Sequence, residues 1–235
     1  MNMNNPKILV GCPTSFHKGY ALKQYAEAVK TLDYNNYDIL LVDNSPDDVY
    51  YNKIKENGLK AIKGPYFEGA LQRIITSRNL LRKYVLDNNY DYLFSLEQDV
   101  IPNKDTLTKL TSHNKEIVSG IYFLHNIIKG KRILIPQVFI ELSNKTNILP
   151  DMRWINKQEF LSNNLIKIIS CGLGCVLIHK NILEKIEFRF ENDVFDDRFF
   201  CIDLYNKNIK IYCDTSVKCK HLLLNRPYSW NEIKK

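Results

Sequence analysis

Apolar residues in this chain come in short runs that stop at polar turns, and between the runs they recur at helical spacing. Lys7–Cys12 reads as a buried strand, ended by a loop at Pro13. Gly19–Leu32 places Tyr20, Leu22, Tyr25, Ala26, Val29 and Leu32 on one helical face. Tyr37–Asp43 is a second strand, and Asn44-Ser45-Pro46-Asp47-Asp48 a turn and helix start. Val49–Asn57 reads as a short helix closed by Gly58, and Leu59–Lys63 as a weak strand. Leu71–Asn88 carries the longest helical stripe, through Leu71, Ile74, Ile75, Leu80, Leu81, Tyr84 and Val85. Asp91–Leu96 follows as a strand.

Alternation of strand and helix predicts an α/β fold with an open, mainly parallel sheet and helices on both faces. In such sheets ligands lie beyond the carboxyl ends of the strands. Pro13–Ser15, Asp43–Ser45 and Glu97–Asp99 all fall there, so three polar loops share one sheet edge.

The second half is more mixed. Glu116–Phe123, Arg132–Glu141, Leu165–Ser170, Val176–His179 and Asn208–Cys213 are strand-like. Lys104–Leu110, Asn181–Ile186 and Asp197–Asn206 are helical, and Cys171-Gly-Leu-Gly-Cys175 interrupts. Leu142–Asn164 reads as a long irregular surface loop. Without a repeat or a Pro/Gly/Ser linker, residues 1–235 are expected to form one domain.

Composition narrows the class. The 235 residues are 45% hydrophobic and 25% charged, the balance of a globular protein. No stretch reaches the ~18 apolar residues of a spanning helix, and the first residues lack the apolar core of a signal peptide. A cytoplasmic protein is expected. A net charge of +7 suits anionic ligands, although the lysines are scattered, as on any solvated surface. The six cysteines lack the close Cys-x2-Cys pairs of structural zinc sites and read as buried thiols.

Two acids, Glu97 and Asp99, end an almost wholly apolar strand. Carboxylates there suit a hard divalent cation, Mn2+ or Mg2+. The competing reading is a cap, since Asp99 and Asn103 both precede the helix at Lys104, but a cap explains one acid and not the pair. Asp196 and Asp197 open a helix, where the dipole favours acids, yet either would also serve as a general base.

Taken in order, the motifs resemble GT-A-fold glycosyltransferases of the family-2-like group. The resemblance runs over about residues 7–223. It rests on Asp43-Asn44-Ser45, Ser77-Arg78-Asn79, Glu97-Gln98-Asp99, Ser119–Tyr122, Gly172–Ile178, Phe195–Leu204 and His221-Leu222. Glu97 stands where the family has the first Asp of its Asp-x-Asp motif, and Asp196 where it more often has Glu.

The resemblance implies a nucleotide-binding half at about 1–101 and an acceptor-side half at 102–235. It further implies transfer of a sugar from a UDP- or GDP-type donor to a glycan, lipid or protein acceptor, with inversion. Asp99 would hold the metal, Glu97 would assist through ribose or water, and His221 would reach the metal or diphosphate. Pro13, Thr14, Asp43, Asn44, Arg78 and Gln98 would bind the nucleotide sugar. Asp197 would be the base, supported by Asp196. For His221 the competing reading is a histidine satisfied by a backbone carbonyl, for Asp43 a turn cap, and for Arg78 a helix-surface cation.

Two rival functions remain. A nucleotidyltransferase should carry a Gly-rich loop after the first strand, which Cys12–Lys18 lacks. A non-enzymatic basic module would bind nucleic acid or a membrane surface. No nucleic-acid partner is expected, because the aromatics fall on core periodicity. The tail Asn225–Lys235, with Trp230 and its lysines, suits peripheral contact with lipid head groups.

Overall fold

A computed structural model describes residues 5–142, 151–191 and 194–222. In chain order the elements are β1 (Ile8–Thr14), a 3-10 segment (Phe16–Ala21), α1 (Leu22–Val29), β2 (Tyr37–Asp43), α2 (Val49–Glu56), β3 (Ala61–Lys63), α3 (Ala70–Asp87), β4 (Tyr92–Leu96), β5 (Val100–Ile101), α4 (Thr106–Ser112) and β6 (Ile117–Ile121). Then come β7 (Phe123–Ile128), β8 (Lys131–Pro136), β9 (Val138–Glu141), β10 (Met152–Trp154), α5 (Lys157–Leu161), β11 (Leu165–Ile168), β12 (Ser170–Cys171), β13 (Cys175–His179), α6 (Lys180–Lys185), α7 (Asp196–Asn206), β14 (Ile211–Lys218) and β15 (Lys220–His221).

Eight strands form the central sheet in the order β11-β14-β6-β13-β4-β1-β2-β3. The pairs β1–β2, β2–β3, β1–β4 and β6–β14 are parallel, and β13 and β11 run against their neighbours. The expected α/β, mainly parallel sheet with flanking helices is therefore what the chain forms. Because β13 lies between β4 and β6, the sheet is built from both halves of the sequence.

Period-two alternation explains the layers. From β1, Ile8 and Val10 join Leu22, Tyr25, Ile54 and Leu107, the faces of α1, α2 and α4. Leu9 points the other way, into a cluster with Ile75, Leu81, Phe200 and Leu204 from α3 and α7. Gly11 sets the closeness of that second layer: a Cβ there would lie 2.6 Å from Leu93 and 3.2 Å from Leu81. Its hydrogen lets α3 sit down on the sheet, and one turn before Leu81 that brings Arg78 to Ser95, the β4 residue paired with Gly11.

Several elements differ from expectation. The helix foreseen at Gly19–Leu32 is a 3-10 segment followed by α1. Arg132–Glu141 breaks at Gln137 into β8 and β9, and β7 and β8 form a hairpin whose turn places Lys129 and Gly130 at φ of 50° and 73°. The irregular stretch Leu142–Asn164 holds β10 and α5. Asn156 caps α5 by accepting from the Glu159 N–H, while the Glu159 carboxylate accepts from the Asn156 N–H. Elements of three and five residues are too short for periodicity to reveal.

All six cysteines are free and buried, as small apolar side chains. Among the described residues no helix is long and apolar enough to cross a membrane. The Trp230 tail lies outside the described residues.

Candidate active site

A cavity of about 420 Å³ opens at the carboxyl ends of β1, β2 and β4. Small-molecule sites span about 300–1,000 Å³. Pro13, Thr14, Asn44, Arg78, Glu97, Asp196, Asp197 and His221 line it, so eight of the eleven expected site residues face one space. The topology causes this. β1 has β2 on one side and β4 on the other, so the chain reverses its order across the sheet here and opens a crevice.

Asp99 lies just behind this lining, fully buried. Three side chains of the wall converge on its Oδ2: Lys18 Nζ at 2.5 Å, the Tyr20 hydroxyl at 2.9 Å and His221 Nε2 at 3.2 Å. The alternative role as a cap is excluded by position, since α4 begins at Thr106 behind Asp105. β5 and β15 pair antiparallel, His221 opposite Val100, and this small ladder delivers the histidine to the acid.

His221 also satisfies its competing reading. Its Nδ1 lies 2.7 Å from the Phe123 carbonyl. A carbonyl only accepts, so Nδ1 carries the hydrogen and Nε2 is the nitrogen turned to Asp99. Histidines that ligate metals are commonly oriented this way, the far N–H donated to a carbonyl. An N···O separation of 3.2 Å also matches two ligands side by side on one ion, each about 2.1 Å from it. The donor set, one carboxylate and one imidazole, fits a divalent cation whose other positions go to water and phosphate.

Glu97 does not join that pair. Its Oε1 lies 3.0 Å from Arg78 Nη2, and among the described residues no three His, Cys, Asp or Glu side chains gather to hold an ion. The reason is Arg78, a buried cation rather than a helix-surface one. It is 3% exposed, donates to Ser95 Oγ at 2.8 Å and is ion-paired with both Glu97 and Asp196. Burial works against its charge, but Asp196 and then Glu97 more than offset it, so its pKa is raised.

Asp196 and Asp197 form the first turn of α7. Asp196 is committed to Arg78. Asp197 accepts the Arg198 N–H at 2.7 Å and faces the cavity. Burial, reinforced by the negative charge of Asp196, raises the Asp197 pKa to about 6. A carboxyl group with such a pKa is able to take up a proton near neutral pH.

Asp43 and Gln98 sit behind the wall and do not line the cavity. Asp43 is fully buried and accepts from Ser45 N and Oγ at 3.0 and 2.6 Å, while its other oxygen pairs with Lys63 at 3.0 Å. It is a turn cap with a counter-ion. Gln98 is equally buried: its oxygen accepts from Thr14 at 2.5 Å, and its amide donates to the Lys18 carbonyl at 2.7 Å and the Tyr50 hydroxyl at 2.6 Å. Both hold loops that carry other site residues.

Sequence reasoning missed Lys18, Tyr20 and Tyr122. A cation in the loop after a strand that ends at the site was a readable signal for Lys18. Tyr122 was hidden: it packs edge-on against the His221 ring, 5.4 Å between centroids, under Gly172 and Gly174.

No protein-family model matches the chain, and no curated protein does. Solved structures do match. TarS from S. aureus (residues 1–349) aligns with a TM-score of 0.57 at 15% identity, over 92% of this chain and 60% of that one. The same protein in complex with UDP-GlcNAc aligns at 0.55 and 15%, over 91% of this chain and 58% of that one. A197 from STIV aligns at 0.51 and 15%, over 92% of this chain and 86% of that one. At such identity the likeness is one of fold, and the fold is of the GT-A type. The chain spans about three-fifths of TarS 1–349.

Proposed function

We propose that this protein is a glycosyltransferase that takes a sugar from a nucleoside-diphosphate donor and passes it, with inversion, to an acceptor hydroxyl. The observation that carries the reading is one cavity at the carboxyl edge of the sheet. His221, whose Nε2 lies 3.2 Å from Asp99 and which with it would hold a cation, and Asp197, whose raised pKa suits a base, both line it. The resolved complex of TarS with UDP-GlcNAc makes a UDP sugar the first donor to test.

In this reading Pro13, Thr14 and Asn44 form the wall for the nucleotide. Asp99 and His221 would hold Mn2+ or Mg2+, which when bound supplies positive charge opposite the departing diphosphate. Arg78 fixes the two halves of the site together by gripping Glu97 and Asp196. Asp197 accepts the proton of the acceptor hydroxyl as that oxygen bonds to the anomeric carbon. The bond from that carbon to the diphosphate breaks on the opposite face, which inverts the centre. Asp196, held by Arg78, keeps Asp197 basic through its charge.

Binding of UDP and GDP with and without Mn2+, in the native protein and in Asp99→Ala, tests the donor side. Nucleotide binding that depends on Mn2+ and is largely lost in Asp99→Ala is expected; unchanged affinity removes the role of Asp99. Hydrolysis across a panel of nucleotide sugars then identifies the sugar.

A further inference from the structure

Asp99 already has a cation. Its Oδ2 is the atom turned to His221 Nε2, and it is also the atom that Lys18 Nζ occupies at 2.5 Å. A divalent ion held between Asp99 and His221 would draw on that oxygen, the one nearest the imidazole. An ammonium at that distance and a divalent ion on the same carboxylate repel one another, so each weakens the other's hold on it. The lysine and the metal therefore compete for Asp99.

Lys18 is built to leave. Its backbone is pinned: its carbonyl accepts from Gln98 Nε2 at 2.7 Å, and its N–H donates to the Ser15 carbonyl at 2.9 Å. Its side chain is 30% exposed and lies along the cavity, on a flexible stem of four carbons. A diphosphate in the cavity would offer the ammonium a second anion within the swing of that stem.

We propose that Lys18 is an internal occupant of the cation position, exchanged for the divalent ion when a nucleoside diphosphate enters. Resting on the donor-side reading above, this deepens it. Without nucleotide, Lys18 neutralises Asp99 and keeps the ion out. With nucleotide, Lys18 turns to the diphosphate and Asp99 is released to the metal. Ion and nucleotide then load together, and by linkage each strengthens the other equally. The device stops the buried carboxylate from scavenging cations between turnovers, and it supplies a second positive charge to the leaving group.

Mn2+ binding followed by the electron paramagnetic resonance of the free ion, with and without UDP, tests this without any turnover. In Lys18→Gln, Mn2+ should bind without nucleotide about ten-fold or more tighter than in the native protein. The strengthening of Mn2+ binding by UDP, expected within the usual range of about 5–150-fold in the native protein, should shrink at least five-fold. Lys18→Arg, which keeps the charge, should stay close to native, and thermal melting of both variants confirms that they fold. If Lys18→Gln binds Mn2+ no more tightly than the native protein while Asp99→Ala abolishes binding, the metal site stands and the exchange is overturned. If native protein and Lys18→Gln both fail to bind Mn2+ with UDP present, both readings fall. Should Lys18→Gln fail to fold, native protein showing equal Mn2+ affinity with and without UDP still overturns the exchange.

Discussion

Arg78, midway along α3, and Asp196, the first residue of α7, are ion-paired with both side chains nearly sealed from solvent. The pair ties a helix of the first half to one of the second, in the wall of the cavity. A buried pair adds little over a well-packed apolar replacement, but removal of one partner strands the other charge. Arg78→Met should therefore cost on the order of 3–5 kcal/mol, because it leaves the Asp196 carboxylate without its cation. Urea unfolding measures it. A loss below about 1 kcal/mol, the range of a surface pair, would show that Asp196 finds another counter-ion.

Asp197 gives a pH signature of both activity and stability. Its pKa is raised to about 6 in the fold, by burial and then by Asp196, from an ordinary 3.8. Activity should rise with an acid limb centred near pH 6 in kcat/KM, as the base loses its proton. Stability moves the other way. The protonated form is the one the fold prefers, so the contribution is present below the ordinary pKa and is lost as pH rises through about 6. Asp197→Asn should abolish transfer yet melt higher than the native protein at pH 8. A variant that melts lower at pH 8, or a profile without the limb, counts against the assignment.

The sheet was legible because its strands and helices are long enough to show their periods, and parallel order follows from alternation alone. That the loops at strand ends would meet at one cavity was legible for the same reason, since topology brings strand ends together without any knowledge of side chains. Direction was not legible. Asp43 ends one apolar strand and Asp99 follows another, yet one turns to Ser45 and Lys63, which ends the neighbouring β3, and the other to Lys18 and His221. Glu97 reads as half of a metal pair from sequence because nothing there shows that Arg78 of α3 is buried beside it. The hairpin of β7 and β8 escaped because its turn depends on Lys129 at a φ of 50°, which no glycine at that position announced.

Gly172 and Gly174 are required by space, since neither adopts a positive φ. A Cβ on Gly172 would collide with the Tyr122 hydroxyl, and one on Gly174 would lie 2.8 Å from Cζ of the same ring. Tyr122 cannot retreat without pushing on His221, whose ring it meets edge-on. Overpacking of this kind costs about 1–3 kcal/mol. Gly172→Ala should thus weaken both folding and Mn2+ binding in the presence of UDP, although it contacts neither ion nor nucleotide. Leaving Tyr122 in place, the control Gly130→Asn in the hairpin turn should leave Mn2+ binding unchanged, since nothing lies within 4 Å of a Cβ there and asparagine tolerates a φ of 73°.

Gln98 and Asp99 are neighbours in sequence with opposite duties, and paired substitutions should separate them. Every polar atom of the Gln98 amide is used inside the protein, joining β1 at Thr14, α2 at Tyr50 and the 3-10 segment at Lys18. Gln98→Ala leaves buried hydroxyls and a carbonyl without partners, at about 1–3 kcal/mol for each group so stranded. Asp99→Ala is different, since Lys18, Tyr20 and His221, the groups it releases, all line the cavity, where water can reach them. Calorimetry should show a markedly lower melting temperature for Gln98→Ala than for Asp99→Ala. Mn2+ titration should show the reverse order, with binding retained in the first variant and absent in the second. Equal losses of both properties in both variants would mean that the β4 loop acts as one unit, and that Asp99 is structural after all.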